Sequence, residues 1–269
     1  AQDPKQREFD AIWIKHLKAA LLEVRCRLAQ LEIAGLRRDA GELFGLRVRW
    51  IEVQGNWVRP SVCLGGGRRD SGGENIERWM LTAAVDFCCK NEADRVFVRL
   101  SRQSITDPTT AEWMRQKLDE DGFDCSRLVV QIPERDAAKH IKQTKELVKH
   151  TRKLGIGFAL EHYGVDRERF QILDLLKPDY IKIDGELMHT LMTDETMQSA
   201  VSKIVKAAQK RNIKTIAERV ESANSMAVLF QLGLDFMQGH YVHEPEVVLQ
   251  DKDSGVTNTL DDLTAAQGI

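Results

Sequence analysis

Three short apolar runs frame this chain. Residues 156–160, 180–183 and 215–217 each stop at a carboxylate, Glu161, Asp184 and Glu218, and each leads through a polar turn into a helix-like segment. Strands of this length separated by amphipathic stretches are the mark of repeated βα units around a parallel sheet. In such sheets ligands sit where strands hand over to helices. Charges recurring at those ends mark a candidate site, although a carboxylate there also serves to cap the following helix.

With 269 residues, 42% of them hydrophobic, the chain can bury one large core, and a single (β/α) barrel fits without a second domain. The formal charge of −2 argues against a broad nucleic-acid-binding face and leaves room for a local basic site. The first residues, AQDPKQREFD, lack the pattern of a secretory signal, and no apolar run approaches the roughly 18 residues a membrane span requires. The expectation is a cytoplasmic protein that engages neither nucleic acid nor membrane. Five cysteines occur without CxxC spacing, and the adjacent Cys88 and Cys89 cannot face one partner from a helix. They read as reduced, mostly buried thiols.

Phe9, Ile12, Trp13, Leu17, Ala20, Leu21 and Val24 recur at helical steps and predict one apolar helix face over residues 4–25, either docked on the domain or continuing from an upstream one. Strands are expected at 27–36 and 43–53, with Gly55-Asn56 as a turn signal. Residues 64–74 carry five glycines in eleven positions and read as a flexible loop without the context of a phosphate-binding loop. A helix over 76–90, a strand over 95–100, a helix opened by Asp107-Pro108, a strand over 128–132 and one long charged helix over 135–153 follow. The basic residues of that last helix, among them Lys142, Lys145, Lys149 and Lys153, are expected on a solvated outer face. A run at 235–237 precedes Gln238-Gly239, and the stretch after Gln250 shows no period. The count is about eight strands, over three segments: a linker helix at 1–26, a barrel at 27–250 and a tail at 251–269.

The motifs YIKIDGEL (180–187), TIAERVES (215–222) and LGLDFMQGHYVHEP (232–245) resemble the C-terminal half of an EAL domain, the phosphodiesterase family for the bacterial second messenger cyclic di-GMP. FALEHYG (158–164), LVVQIPE (128–134) and FVRLS (97–101) are similar to that family's FALDDFG, LEITE and FVNLS segments, and FGLRVRW (44–50) falls where its signature EALLRW belongs. The resemblance implies an α/β fold, a TIM-like (β/α)8 barrel of EAL type with its first strand antiparallel, preceded by the N-terminal helix. It also implies a ligand lying across the barrel mouth.

In active members of the family, acids and an asparagine on successive strand ends hold two divalent cations that activate water for attack on phosphate. Hard cations need several oxygen ligands. The corresponding positions here are Gly45, Arg99, Gln131, Glu161 and His162, and of these Glu161 alone keeps a carboxylate. A guanidinium at 99 stays charged and repels a nearby cation. The resemblance thus implies vestigial metal positions, no cofactor and lost catalysis, with Glu218 and Lys182 as remnants of the base and its neighbour.

Binding is a separate matter. Cyclic di-GMP presents two phosphates and two guanines, which call for cationic or amide donors and for carboxylate acceptors. By resemblance, Arg49 matches the phosphate-contacting arginine after the signature triplet, Gln30 the glutamine of the first strand, and Glu221, Gln238, Gly239 and Pro245 positions near the guanine or the rim. Arg99 is expected to supply charge that metals otherwise provide, giving metal-independent binding. Against this, Arg49 and Lys182 could instead pair with Glu218 or Asp184 inside the barrel, and Gln238-Gly239 could be a tight turn. The lid motif DFGTGYSSL reads YGVDRERF at 163–170. The stretches LSRQSITDP (100–108) and QIPERDAAKHIKQTKELVK (131–149) are similar to the degenerate EAL domains of type IV pilus and twitching-motility regulators. That group implies an upstream degenerate GGDEF domain and a PilZ-type protein partner. The expectation is an inert receptor and docking module; the alternatives are a nucleotide-free scaffold and a residual phosphodiesterase.

Overall fold

The computed structural model describes residues 26–36, 41–53, 56–58, 72–165, 169–189, 191, 193–239, 242, 246–248 and 257–258. The helix expected over 4–25, most of the glycine-rich loop, and Pro245 lie outside the described residues.

The chain opens with a hairpin of β1 (Cys26–Gly35) and β2 (Leu43–Val53), extended by β3 (Asn56–Val58). Helix α1 (Gly72–Lys90), β4 (Arg95–Arg99), α2 (Arg102–Thr106), α3 (Thr110–Asp121) and β5 (Leu128–Pro133) come next. They lead to α4 (Glu134–Lys139), α5 (Ile141–Lys153), β6 (Gly157–Tyr163), α6 (Arg169–Leu176), β7 (Tyr180–Ile183), α7 (Gly185–His189) and α8 (Glu195–Gln209). The last elements are β8 (Lys214–Ala217), α9 (Ala223–Leu232), β9 (Phe236–Met237), β10 (Glu246–Val248) and β11 (Thr257–Asn258).

Eight of these strands close on themselves. The order runs β1-β9-β8-β7-β6-β5-β4-β2, and a further β1–β2 pairing seals the ring, while β3 pairs onto β2 and β10, with β11 beside it, onto β1. Pairings from β2 through β9 around the ring are parallel, and β1 runs antiparallel to both its neighbours. Closure removes the free edges an open sheet would expose.

The period-two alternation of each strand sorts its residues into two layers. Val96 and Val98, Leu128 and Val130, Phe158 and Leu160, and Ile181 and Ile183 face the surrounding helices and join the large outer core. Their alternates Phe97, Val129, Ala159, Tyr180 and Ile216, with Ile33, Leu43 and Phe236, form a separate apolar plug inside the barrel. Two residues further along each of five parallel strands the sequence turns polar, at Arg99, Gln131, Glu161, Lys182 and Glu218. An apolar floor beneath a polar mouth is therefore written directly into the strands.

The helices cover this barrel with narrow apolar stripes. On α5 the buried residues are Thr144, Leu147, Val148 and Thr151, a spacing that faces one side. Asp194 caps α8 by accepting from Thr196 N and Met197 N, and Gly233 closes α9 in the left-handed conformation at φ 81°.

Several expectations are corrected. The single helix over 135–153 is two, because His140 leaves helical geometry at φ −122°, ψ 42° and separates α4 from α5. The Asp107-Pro108 helix begins only at Thr110, since the Asp107 carboxylate accepts from Thr109 N and Oγ1 in a turn of its own. Residues 72–74, placed in the glycine-rich loop, are the first turn of α1. Thr257–Asn258, within the stretch that showed no period, pairs with β10. Of the cysteines whose side chains are described, Cys88 is buried, Cys89 is exposed and Cys125 is intermediate, so burial is not general among them. Among the described residues, no helix is long and apolar enough to cross a membrane.

Candidate functional site

At the carboxyl ends of β4 to β9 the polar layer forms one continuous cluster. Glu161 stands at its centre, fully buried, with the Arg99 Nε 3.2 Å from one of its oxygens and an Arg47 nitrogen 3.8 Å from the other. These are Coulombic contacts and not directed hydrogen bonds, for both Glu161 oxygens lack a hydrogen-bond partner. Arg47 and Arg99 are each less than half exposed to solvent, so neither charge is fully screened.

His162 follows immediately, and in a regular strand its side chain would point away from the one before it. The pairing of β6 with β7 instead shifts register between Leu160 and Tyr163, and His162 adopts the left-handed conformation at φ 51°. This bulge turns the imidazole back to the mouth. Its Nδ1 lies 3.0 Å from Asp184 Oδ2 and 3.1 Å from Glu218 Oε2. The hydrogen bond with Glu218 raises the His162 pKa above the ordinary imidazole value, although burial works against it. The cluster thus favours an imidazolium.

Lys182 is buried beneath this layer, its ammonium 4.9 Å above the Phe97 ring and donating to Gln238 Oε1 at 3.2 Å. Burial pulls its pKa down to about 8, while Glu161 and Glu218 pull the other way. Gly45 leaves its volume to a neighbour: a Cβ there would meet Gln238 Nε2 at 3.0 Å. Gly239 has no room for any side chain, because a Cβ would collide with the Val220 backbone, whose N–H donates to Gln238 O.

Several polar atoms here have no partner among the described residues. Both amide atoms of Gln131, both oxygens of Glu161, Glu218 Oε1 and Gln238 Nε2 are buried without a hydrogen bond. Buried polar atoms are rarely left so, and a group of them converging on one cavity mouth is the pattern of a site that completes its bonding with a ligand.

The structure brings together Arg99, Gln131, Glu161, His162, Lys182, Glu218 and Gln238 as the sequence anticipates. Gln30 lies on β1 opposite Leu46 and Glu246. Glu221 is exposed in the turn before α9. Arg49 lies in β2 where a register shift leaves it without a Cα partner on β1, and its side chain lies outside the described residues. Two functional groups were missed as site residues. Arg47 stands two residues after Gly45, so strand alternation alone places it on the same face. Asp184 was noted as a strand-end charge, but its bond to His162 depends on a bulge that no spacing announces.

A divalent-cation pair fits these residues poorly. Gly45 offers no donor, the amide of Gln238 takes up its space, and Glu161 already faces two guanidinium groups. His162, Asp184 and Glu218 are a different case: one ligand atom from each lies within 4.8 Å of the others, a set that could hold a single ion of the type that accepts mixed nitrogen and oxygen donors.

Residues 33–245, most of the chain, match the family model described as the EAL domain. The chain belongs to the EAL domain family. Among curated relatives, this EAL domain is 22% identical over 240 residues to the cyclic di-GMP phosphodiesterase PdeF of Escherichia coli, covering 88% of the chain but 32% of that protein. The chain thus spans about a third of the curated relatives of this kind. Among solved structures it is similar to the FimX EAL domain of Pseudomonas aeruginosa bound to c-di-GMP, with a TM-score of 0.82, 28% identity, and coverage of 87% of this chain and 96% of that one. The Xanthomonas citri FimX EAL domain in complex with c-diGMP shares the fold, with a TM-score of 0.82, 23% identity, and coverage of 90% and 96%.

Proposed function

We propose that this EAL domain is a cytoplasmic receptor for cyclic di-GMP that binds without metal, does not hydrolyse the nucleotide, and relays its occupancy to a protein partner. The observation that carries the reading is the electrostatic arrangement around Glu161. Two guanidinium groups stand against the one carboxylate kept among the expected metal positions, so positive charge is already built into the mouth. A dianionic dinucleotide needs that charge, and hydrolysis through paired cations needs those places free.

The orphaned amides of Gln131 and Gln238 supply neutral donors, and Glu218 Oε1 supplies an acceptor for a guanine N–H edge. By the same resemblance, Arg49, Gln30, Glu221, Gly239 and Pro245 complete the proposed binding set. The similar FimX EAL domain of Pseudomonas aeruginosa, bound to c-di-GMP, supports the ligand class. The partner class follows the same resemblance: a PilZ-type protein, with a degenerate GGDEF domain upstream in the longer chain.

A second reading rests on His162, Asp184 and Glu218, which could hold one ion and leave residual phosphodiesterase chemistry. The two readings part in a turnover assay. Cyclic di-GMP incubated with the domain and Mg²⁺ or Mn²⁺ and followed by chromatography is expected to remain intact. Conversion to a linear dinucleotide that disappears in Glu218→Gln would establish the second reading. Charge reversal at Arg49 separates receptor from nucleotide-free scaffold: it is expected to abolish nucleotide binding under the first and to leave partner binding untouched under the second.

A further inference from the structure

The helical layer holds a second concavity that none of the mouth residues lines. A cavity of about 590 Å³ opens between the α2–α3 segment and α5. Ile105 and Leu147, both buried, and the half-buried Ala111 and Leu154 form its apolar floor. The volume falls in the range that accepts a compact ligand or a few side chains.

The two walls differ in charge. On the α3 side Glu112 is already engaged, its oxygens held by Arg115 at 2.7 and 3.1 Å, and Arg115 also binds Asp119 at 2.8 Å. On the α5 side Lys142 and Lys153 are exposed and make no ion pair among the described residues. They belong to a stripe with Lys145 and Lys149 on a helix whose sole acid is Glu146, in a chain of net charge −2. A solvated outer face accounts for lysines. It does not account for an apolar trough of this size beside them.

We propose that this groove docks an acidic amphipathic helix of a partner protein. Lys142 and Lys153 are eleven residues apart on α5, about 16 Å at the helical rise. Carboxylates three turns apart on a partner helix match that span, with leucine-like anchors between them reaching the floor. A bilayer is disfavoured because the apolar surface is recessed below the lysines, where a flat headgroup layer does not reach. A nucleic acid is disfavoured because the floor is aliphatic and no Phe, Tyr or Trp lines it for bases to stack on. The inference rests on the reading of the domain as a docking module and stands whether or not nucleotide binds.

The test uses the domain without nucleotide and a fluorescent 15-residue helical peptide of glutamate and leucine, followed by anisotropy, with phosphatidylglycerol vesicles and a 15-nucleotide single strand as rival polyanions. The expected result is saturable peptide binding weakened at least tenfold by Lys142→Glu with Lys153→Glu, and likewise by Ala111→Trp, which fills the floor without changing charge. The exposed lysine variants decide the matter even if Ala111→Trp misfolds. Absent peptide binding, or binding indifferent to the lysine variants, overturns the proposal. So does tighter capture of the vesicles or the strand.

Discussion

Glu161 is buried against two guanidinium groups, and its charge has opposite consequences under the two readings of the mouth. If the guanidiniums are there for phosphate, the carboxylate holds them back, and Glu161→Gln is expected to tighten cyclic di-GMP binding by about fivefold, roughly 1 kcal/mol. If an ion is the true occupant, the same change weakens binding. Isothermal titration of the two proteins distinguishes the signs. At His162 the Glu218 hydrogen bond raises the folded-state pKa. Its stabilising contribution is therefore complete below the unfolded value of about 6.5 and is lost as pH climbs through the raised folded value. In EDTA the melting temperature of the wild type is expected to decline across that window more steeply than that of His162→Gln; parallel curves would refute the coupling. Most of this cluster was legible because each residue ends a recognisable strand. Arg47 was overlooked although alternation from Gly45 places it, whereas the His162 contact to Asp184 arises from a left-handed residue in a bulge and left no trace in spacing.

Among the elements, β7 has the bounds its short run indicates, all four of its residues being buried and Lys182 alone among them charged. Helices were less legible. The residues of α2 are too few to show a period, and its start is fixed by Ser101 Oγ accepting from Gln103 N. The break at His140 fell inside a pattern that both halves share. At Gly233 a φ of 81° closes α9, and a Cβ there would meet Gln209 Nε2 at 3.0 Å. Gly233→Ala is expected to cost about 1 kcal/mol. Thermal melts should register this as a drop of about 2–4 °C. An unchanged melt would mean that α9 contributes little to the cooperative unit.

The whole molecule divides its labour by height along the barrel. The plug of Phe97, Val129, Tyr180 and Ile216 supplies stability, and the layer two residues above it exchanges part of that stability for unpaired polar atoms and opposed charges. The closed ring with one antiparallel strand followed from the family resemblance more than from periodicity, since a hairpin and a βα unit look alike over one strand. The edge strands β10 and β11 were not foreseen, because strands of two or three residues carry no pattern. A ligand that completes the mouth should stabilise the fold as a unit. At a hundred times its dissociation constant it adds about 2.7 kcal/mol, or a rise of about 5–10 °C in melting temperature. The most direct measurement is calorimetric titration of the domain with cyclic di-GMP, once in EDTA and once in Mg²⁺. Metal-independent binding predicts the same saturable isotherm in both. Binding that appears only with Mg²⁺, or no heat and no melting shift in either condition, would contradict it.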